Sequence, residues 1–135
     1  MASKFHLQVI APDKILLDEE VEKVIVRSTS GDIAILHDHI PMVAPLSIGQ
    51  MTIINDGNKR EAAVASGFVH IDLEKTVIMA DAAEWPEEID VDRAKQAKAR
   101  AEDRLKNNYE KMDRIRAEIA LHKALNRINV VEKKK

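Results

Sequence analysis

The residues best suited to chemistry in this chain stand near position 90. Ile89-Asp90-Val91-Asp92-Arg93-Ala94 opens a long stretch without Gly or Pro. A helix starting there presents unpaired backbone N–H groups and the positive end of its dipole, a setting for a carboxylate or an anionic ligand. Taken alone, the segment is accounted for by local capping, with Asp90 as N-cap and Asp92 in the first turn. Its surroundings add a second reading. Arg93 and Arg100 lie two turns apart on one helical face, and Lys123 and Arg127 lie one turn apart on a later one, so folding two helices together would gather four cations. Four cations repel unless an anion sits among them. A nucleotide polyphosphate meets that need, with Arg forks to hold it and Ile89 and Ala94 to flank a base. The competing reading is a solvated charged face, in which Glu102 with Lys106 and Glu110 with Arg114 are ordinary i,i+4 pairs.

Other candidates carry less. His37-Asp38-His39 offers two imidazoles in a Pro-bounded loop, whereas zinc sites take three or four protein ligands. His6, His70 and His122 read as surface or satisfied side chains. With no Cys there is no disulfide, thiolate nucleophile or Cys-ligated metal, which fits a reducing compartment. No G-x-x-x-x-G-K-[ST] loop occurs, and no Ser/His/Asp arrangement or apolar carboxylate pair can be singled out. The expectation is a protein that is not an enzyme, needs no cofactor and uses any nucleotide as an effector.

The elements that must hold these residues fall into two parts. All 4 Gly and all 4 Pro lie before residue 88. Residues 1–87 carry 7 Lys+Arg against 14 Asp+Glu, and residues 88–135 carry 14 against 9. The first part reads as an antiparallel β-sandwich of about eight to ten strands, the second as a helical hairpin. Phe5, Leu7 and Val9 alternate along a strand ending near Pro12-Asp13. The run Val24-Ile25-Val26 predicts a central strand buried on both faces, and Gly31 to Leu36 another strand. Pro41 and Pro45 predict irregular or edge-like chain. Met51–Ile54 and Glu61–Val64 flank Asn55-Asp56-Gly57-Asn58, a tight hairpin turn. Val69, Ile71 and Leu73 form a further alternating strand, returned by Thr76–Ala80. Helix one carries a stripe of Val91, Ala94, Ala97 or Lys98, Ala101 and Leu105. Asn107-Asn108 signals a turn, and helix two presents Ile115, Ile119, Leu121, Leu125 and Ile128, with Val130 and Val131 near its end. Two antiparallel helices or one continuous rod of about 63 Å both satisfy the pattern. An alanine interface makes docking of the hairpin marginal, as a conformational switch requires. The N-terminus lacks the apolar core of a signal peptide and no stretch reaches the ~18 apolar residues of a membrane span, so a soluble cytoplasmic chain is expected.

These segments resemble the ε subunit of bacterial F-type ATP synthase over essentially the whole chain. The resemblance rests on Phe5-His6-Leu7-Gln8-Val9-Ile10 with Pro12-Asp13, Val21-Glu22-Lys23-Val24, Gly31-Asp32 with Ile35-Leu36 and His39-x-Pro41, Gly67-Phe68, and Ile78-Met79-Ala80-Asp81-Ala82-Ala83-Glu84. It implies a non-catalytic rotor subunit with a β-sandwich and a two-helix arm, beside the γ subunit and the c-ring. The chain would be peripheral on the cytoplasmic face of the bacterial membrane, without inserting and without nucleic acid. Family members that bind ATP carry I/L-D-x-x-R-A, matched here by Ile89, Asp90, Arg93 and Ala94, and the resemblance adds Glu84, Arg100, Lys123 and Arg127 as nucleotide contacts. Lys123 stands where relatives often have Arg, keeping the charge without the fork. Asp32 and His39 match positions facing the c-ring, although Ala34 and His37 depart from the family's Gly and Pro. The resemblance further implies a switch in which the ATP-bound folded hairpin permits rotation. The extended arm would bring Arg104, Arg114, Arg116, Lys123 and Arg127 to acidic loops of the α/β hexamer and block ATP hydrolysis. The alternative from another class is a β-domain adaptor with a static helical arm that binds a protein or RNA and no nucleotide.

Overall fold

Alternation sets the first strand: Phe5, Leu7, Val9 and Ala11 are buried along β1 (Phe5–Ala11), and the residues between them are half-buried. The computed structural model describes residues 3–107 and 110–134, in two compact units, Met1–Trp85 and Pro86–Lys135. In the first unit, Pro12-Asp13 turns β1 into the antiparallel β2 (Lys14–Val21), with a bulge where Val9 faces Leu17 and Ile10 faces Ile15. Then follow β3 (Lys23–Ser28), β4 (Gly31–Leu36), β5 (Met42–Asn55), β6 (Asn58–Ile71), β7 (Lys75–Ala80) and the two-residue β8 (Ala83–Glu84). The hydrogen-bonded order is β2-β1-β7-β6-β5-β3-β4, with β8 on β6.

β5 and β6 are 14 residues each, far longer than the short strands expected around the Asp-Gly turn. The turn itself is as expected: Asn55 pairs with Asn58, and Asp56 and Gly57 have φ of 52° and 79°, the two positive angles of a type I′ hairpin. The long strands serve both layers of the sandwich. Met42–Leu46 pairs with Gly67–Ile71 alongside β7 and β1, while Ile48–Asn55 pairs with Asn58–Ala65 alongside β3 and β8. The ladder breaks between them at Ser47 and Ser66. There Ser66 and Gly67 take φ of 56° and 137°, and the Ser66 hydroxyl donates to Asp81 at 2.7 Å. Pro45 lies inside β5 instead of in irregular chain. It is tolerated because the β3–β5 ladder is irregular between Ile25 and Ser28, and its carbonyl accepts from Thr29 N at 3.2 Å.

Three further expectations are corrected. β3 buries Val24, Val26 and Ser28 but leaves Ile25 half-buried, so it lines the core with one face. Leu73 is 87% exposed, because β6 ends at Ile71 and Asp72 N bonds Lys75 O to begin the turn into β7. The sandwich is not wholly antiparallel: β1 and β7 are parallel neighbours. A parallel pair needs only a long crossover, and β2 to β6 supply it without a helix. The core gathers Leu7, Val9, Val24, Val26, Ile35, Met51, Ile53, Val69 and Ile78 from both layers.

The second unit opens with a single 3-10 turn, Pro86–Glu88, followed by α1 (Val91–Asn107) and α2 (Lys111–Lys134). Of the two expected forms the hairpin is adopted, with α1 ending at Asn107; Asn108 lies outside the described residues. Asp90 caps α1, its Oδ1 accepting the Arg93 N–H at 3.1 Å. At the other end the Arg114 guanidinium donates to the Leu105 carbonyl at 2.8 Å, satisfying a terminal C=O. The buried face is alanine: Ala94 and Ala101 on α1, Ala117 and Ala124 on α2, joined lower down by Ile128 and Val130. Ile115 and Ile119, expected in that seam, are 40% and 46% exposed. Small side chains allow the helix backbones to approach, and an isoleucine in the seam would hold them apart.

Candidate anion-binding face of the helical unit

The geometry of two antiparallel helices decides which charges meet. Ala94 and Ala101 are seven residues apart, as are Ala117 and Ala124, so the pairs register as Ala94 opposite Ala124 and Ala101 opposite Ala117. Arg93, Arg100, Lys123 and Arg127 each immediately precede a buried seam residue, namely Ala94, Ala101, Ala124 and Ile128. One step back along a right-handed helix is a rotation of about 100°. Because the helices run in opposite directions, that step carries residues of both to the same side of the pair. The four cations predicted from sequence therefore share one flank of the hairpin, over a floor of half-buried Ala97 and Ala120. Arg93 and Arg100 are exposed, whereas Lys123 and Arg127 are half-buried.

The same construction places Arg104 and Arg116, both exposed, on this flank, nearer the connection between the helices. The carboxylates there are Asp90, which already accepts the Arg93 N–H, and Asp113, 4.0 Å from Arg116. Among the described residues Arg93, Arg100, Arg104 and Lys123 have no carboxylate partner. Arg114 is placed differently, on the opposite flank with its guanidinium on Leu105. That flank mixes signs: Lys98 with Glu102 and Arg114 with Glu118 stand four residues apart. Ile89 and Ala94 are buried. Glu84 belongs to the first unit, half-buried on β8 and opposite Ala63 of β6.

In the first unit, Asp32 lies on β4 in a 3.1 Å ion pair with Arg27, and His39 Nδ1 is 2.8 Å from the Ile40 carbonyl. His6, His37 and His39 line one cavity of about 140 Å³ together with Lys4, Asp72 and Lys75. Two features were not foreseen from sequence. Arg60 pairs with Glu19 and lies over the Trp85 ring, 5.2 Å from its centroid, a contact set by strand adjacency and carrying no local signal. The other is an apolar row across five strands, formed by Pro45, Phe68, Met79, Ile10 and Ile15 in successive register. Phe68, Met79 and Ile15 are 53%, 50% and 61% exposed. Alternation identified these strands, and the outward partners of the core residues could have been read as a face. No described helix is long and apolar enough to cross a membrane.

A β-sandwich continuing into a two-helix hairpin defines a class of rotary-motor subunits, and comparison with known proteins places the chain within it. Residues 4–86 match the family described as ATP synthase, Delta/Epsilon chain, beta-sandwich domain, and residues 87–132 match its long alpha-helix domain. The ATP synthase epsilon chain of Alkaliphilus metalliredigens is 55% identical over 134 residues, 99% of this chain and all of that one. That of Bacillus pumilus is 46% identical over 95% of this chain and 97% of its own. Among solved structures, a chain of the Euglena gracilis mitochondrial ATP synthase has a TM-score of 0.82 at 23% identity, covering 99% of this chain and 82% of that one. This chain belongs to the ATP synthase delta/epsilon family. It is an epsilon-type subunit, structural or regulatory in kind and not the catalytic one.

Proposed function

We propose that this subunit works in the central stalk of a bacterial F-type ATP synthase, peripheral on the cytoplasmic face of the membrane, and that its helical unit is an ATP-sensitive switch. The folded hairpin binds ATP through Ile89, Asp90, Arg93, Ala94, Arg100, Lys123 and Arg127, and permits rotation. The extended arm presents Arg104, Arg114, Arg116, Lys123 and Arg127 to acidic loops of the α/β hexamer and blocks hydrolysis. The sandwich joins γ to the c-ring, with Asp32 and His39 toward the ring. The exposed apolar row from Pro45 to Ile15 suits a lasting protein partner, since a free surface rarely keeps so continuous an apolar strip. The solved Tetrahymena thermophila structure that resembles this chain, with a TM-score of 0.62, is of a central stalk and c-ring.

The observation that carries the switch is the one-sided cation flank above an alanine seam. The seam buries little area, so docking is weak, and Arg93, Arg100 and Lys123, which have no carboxylate partner among the described residues, repel one another until an anion sits among them. ATP shifts the balance only through its preference for the folded form; at 100 times its Kd it supplies about 2.7 kcal/mol. The test is a thermal melt of the purified chain with increasing ATP. A rising Tm is expected for wild type and a flat one for Arg93→Gln and Arg100→Gln, which preserve helix propensity. No rise in wild type would remove the effector role. Copurification with γ tests the stalk assignment separately.

A further inference from the structure

The cation flank is longer than a nucleotide needs. From Arg127 through Arg93, Lys123, Arg100 and Arg116 to Arg104, the antiparallel register spreads six cations over about thirteen helical rises, or roughly 20 Å. Arg100 with Arg104, and Lys123 with Arg127, are like-charged i,i+4 pairs on facing helices, each an unfavourable spacing in an isolated helix. The opposite flank of the same hairpin alternates sign at that spacing, so the arrangement is not a consequence of a basic composition. Five of the six cations are Arg, whose forks match phosphate oxygens.

We infer that Arg104 and Arg116 form an anion subsite continuous with the nucleotide site, and that the flank as a whole takes a linear chain of phosphates longer than a triphosphate. The inference rests on the reading of the folded hairpin as an anion-binding unit and names a second ligand for it, a linear inorganic polyphosphate. Bound along both helices, such a chain neutralises both like-charged pairs at once and holds the hairpin closed. Asp113, beside Arg116, marks the end of the track nearest the interhelical connection.

The experiment titrates the full chain with ATP, tripolyphosphate, a long-chain polyphosphate and a single-stranded RNA oligonucleotide, at low and at physiological salt, reading affinity by calorimetry. Wild type is expected to bind the long polyphosphate about tenfold more tightly than tripolyphosphate, with the gain falling steeply as salt rises. R104Q/R116Q should erase that gain while leaving the ATP and tripolyphosphate affinities in place; its helical circular dichroism confirms the fold. Equal affinity for short and long chains in wild type overturns the inference, as does a gain that survives R104Q/R116Q. RNA showing the same gain and the same loss overturns it too, by making the flank a general polyanion surface. ATP binding without the polyphosphate gain would leave the nucleotide reading standing. The gain without ATP binding would remove only the nucleotide.

Discussion

Gly67 sits where the two layers of the sandwich part, and its backbone admits no side chain. A Cβ built there would lie 2.1 Å from the Met79 carbonyl oxygen and 2.8 Å from the Ala80 Cα, and φ is 137°. Gly67→Ala should lower the unfolding free energy by about 2–4 kcal/mol, read as a shift of the urea midpoint with unchanged slope. Gly31→Ala is its control: φ is 123° but nothing lies within 4 Å of the added carbon, so the loss should stay near about 1 kcal/mol. At this scale some positions are legible and others are not. Asp90 announced itself as an N-cap because capping is a local contract between a side chain and the next three residues. Gly67 did not, because its constraint comes from Met79 and Ala80 on β7, twelve and thirteen residues later. Arg60 was invisible for the same reason, since Glu19 and Trp85 reach it only through the sheet order.

Among the elements, the helical hairpin is set by size before hydrophobicity. Of the apolar stripe expected on α2, Ile128 is buried but Ile115 and Ile119 are exposed, and the seam beside them belongs to Ala117 and Ala124. What decides is how closely the backbones approach, which a ranking by apolarity does not contain. Ala101→Leu should therefore destabilise the closed hairpin by about 1–3 kcal/mol despite adding apolar surface. Spin labels on the exposed faces of α1 and α2 should report a population at long separation that wild type lacks. An unchanged distance distribution would mean that the seam tolerates bulk and is not what limits closure. The length of β5 and β6, 14 residues each, is hidden in the sequence for a related reason. Pro45 marks irregular chain in the sequence, whereas β5 continues through it because the β3–β5 ladder shifts register between Ile25 and Ser28.

At the scale of the whole molecule, the split between an acidic, turn-rich first part and a basic, Gly- and Pro-free second part was legible at once, and family segments spread over the chain made its kinship legible too. The outward face of the sandwich was not, since alternation reveals which residues point inward and leaves the others undifferentiated. If that face seats γ, Phe68→Glu and Met79→Glu should leave the melt of the isolated chain within about 0.5 kcal/mol of wild type and abolish copurification with γ. Retention of γ by both variants would move the contact elsewhere. The parallel pairing of β1 with β7 has a further consequence, for the order of synthesis. The first strand to leave the ribosome acquires β2 at once but must wait for residues 75–79 before its other edge is covered. Closing so long a loop comes late in folding. Residues 75–79 nevertheless leave the ribosome ahead of the helical arm, which begins at Val91. The part that would bind the rotor has its whole sheet outside before the part that would govern it emerges.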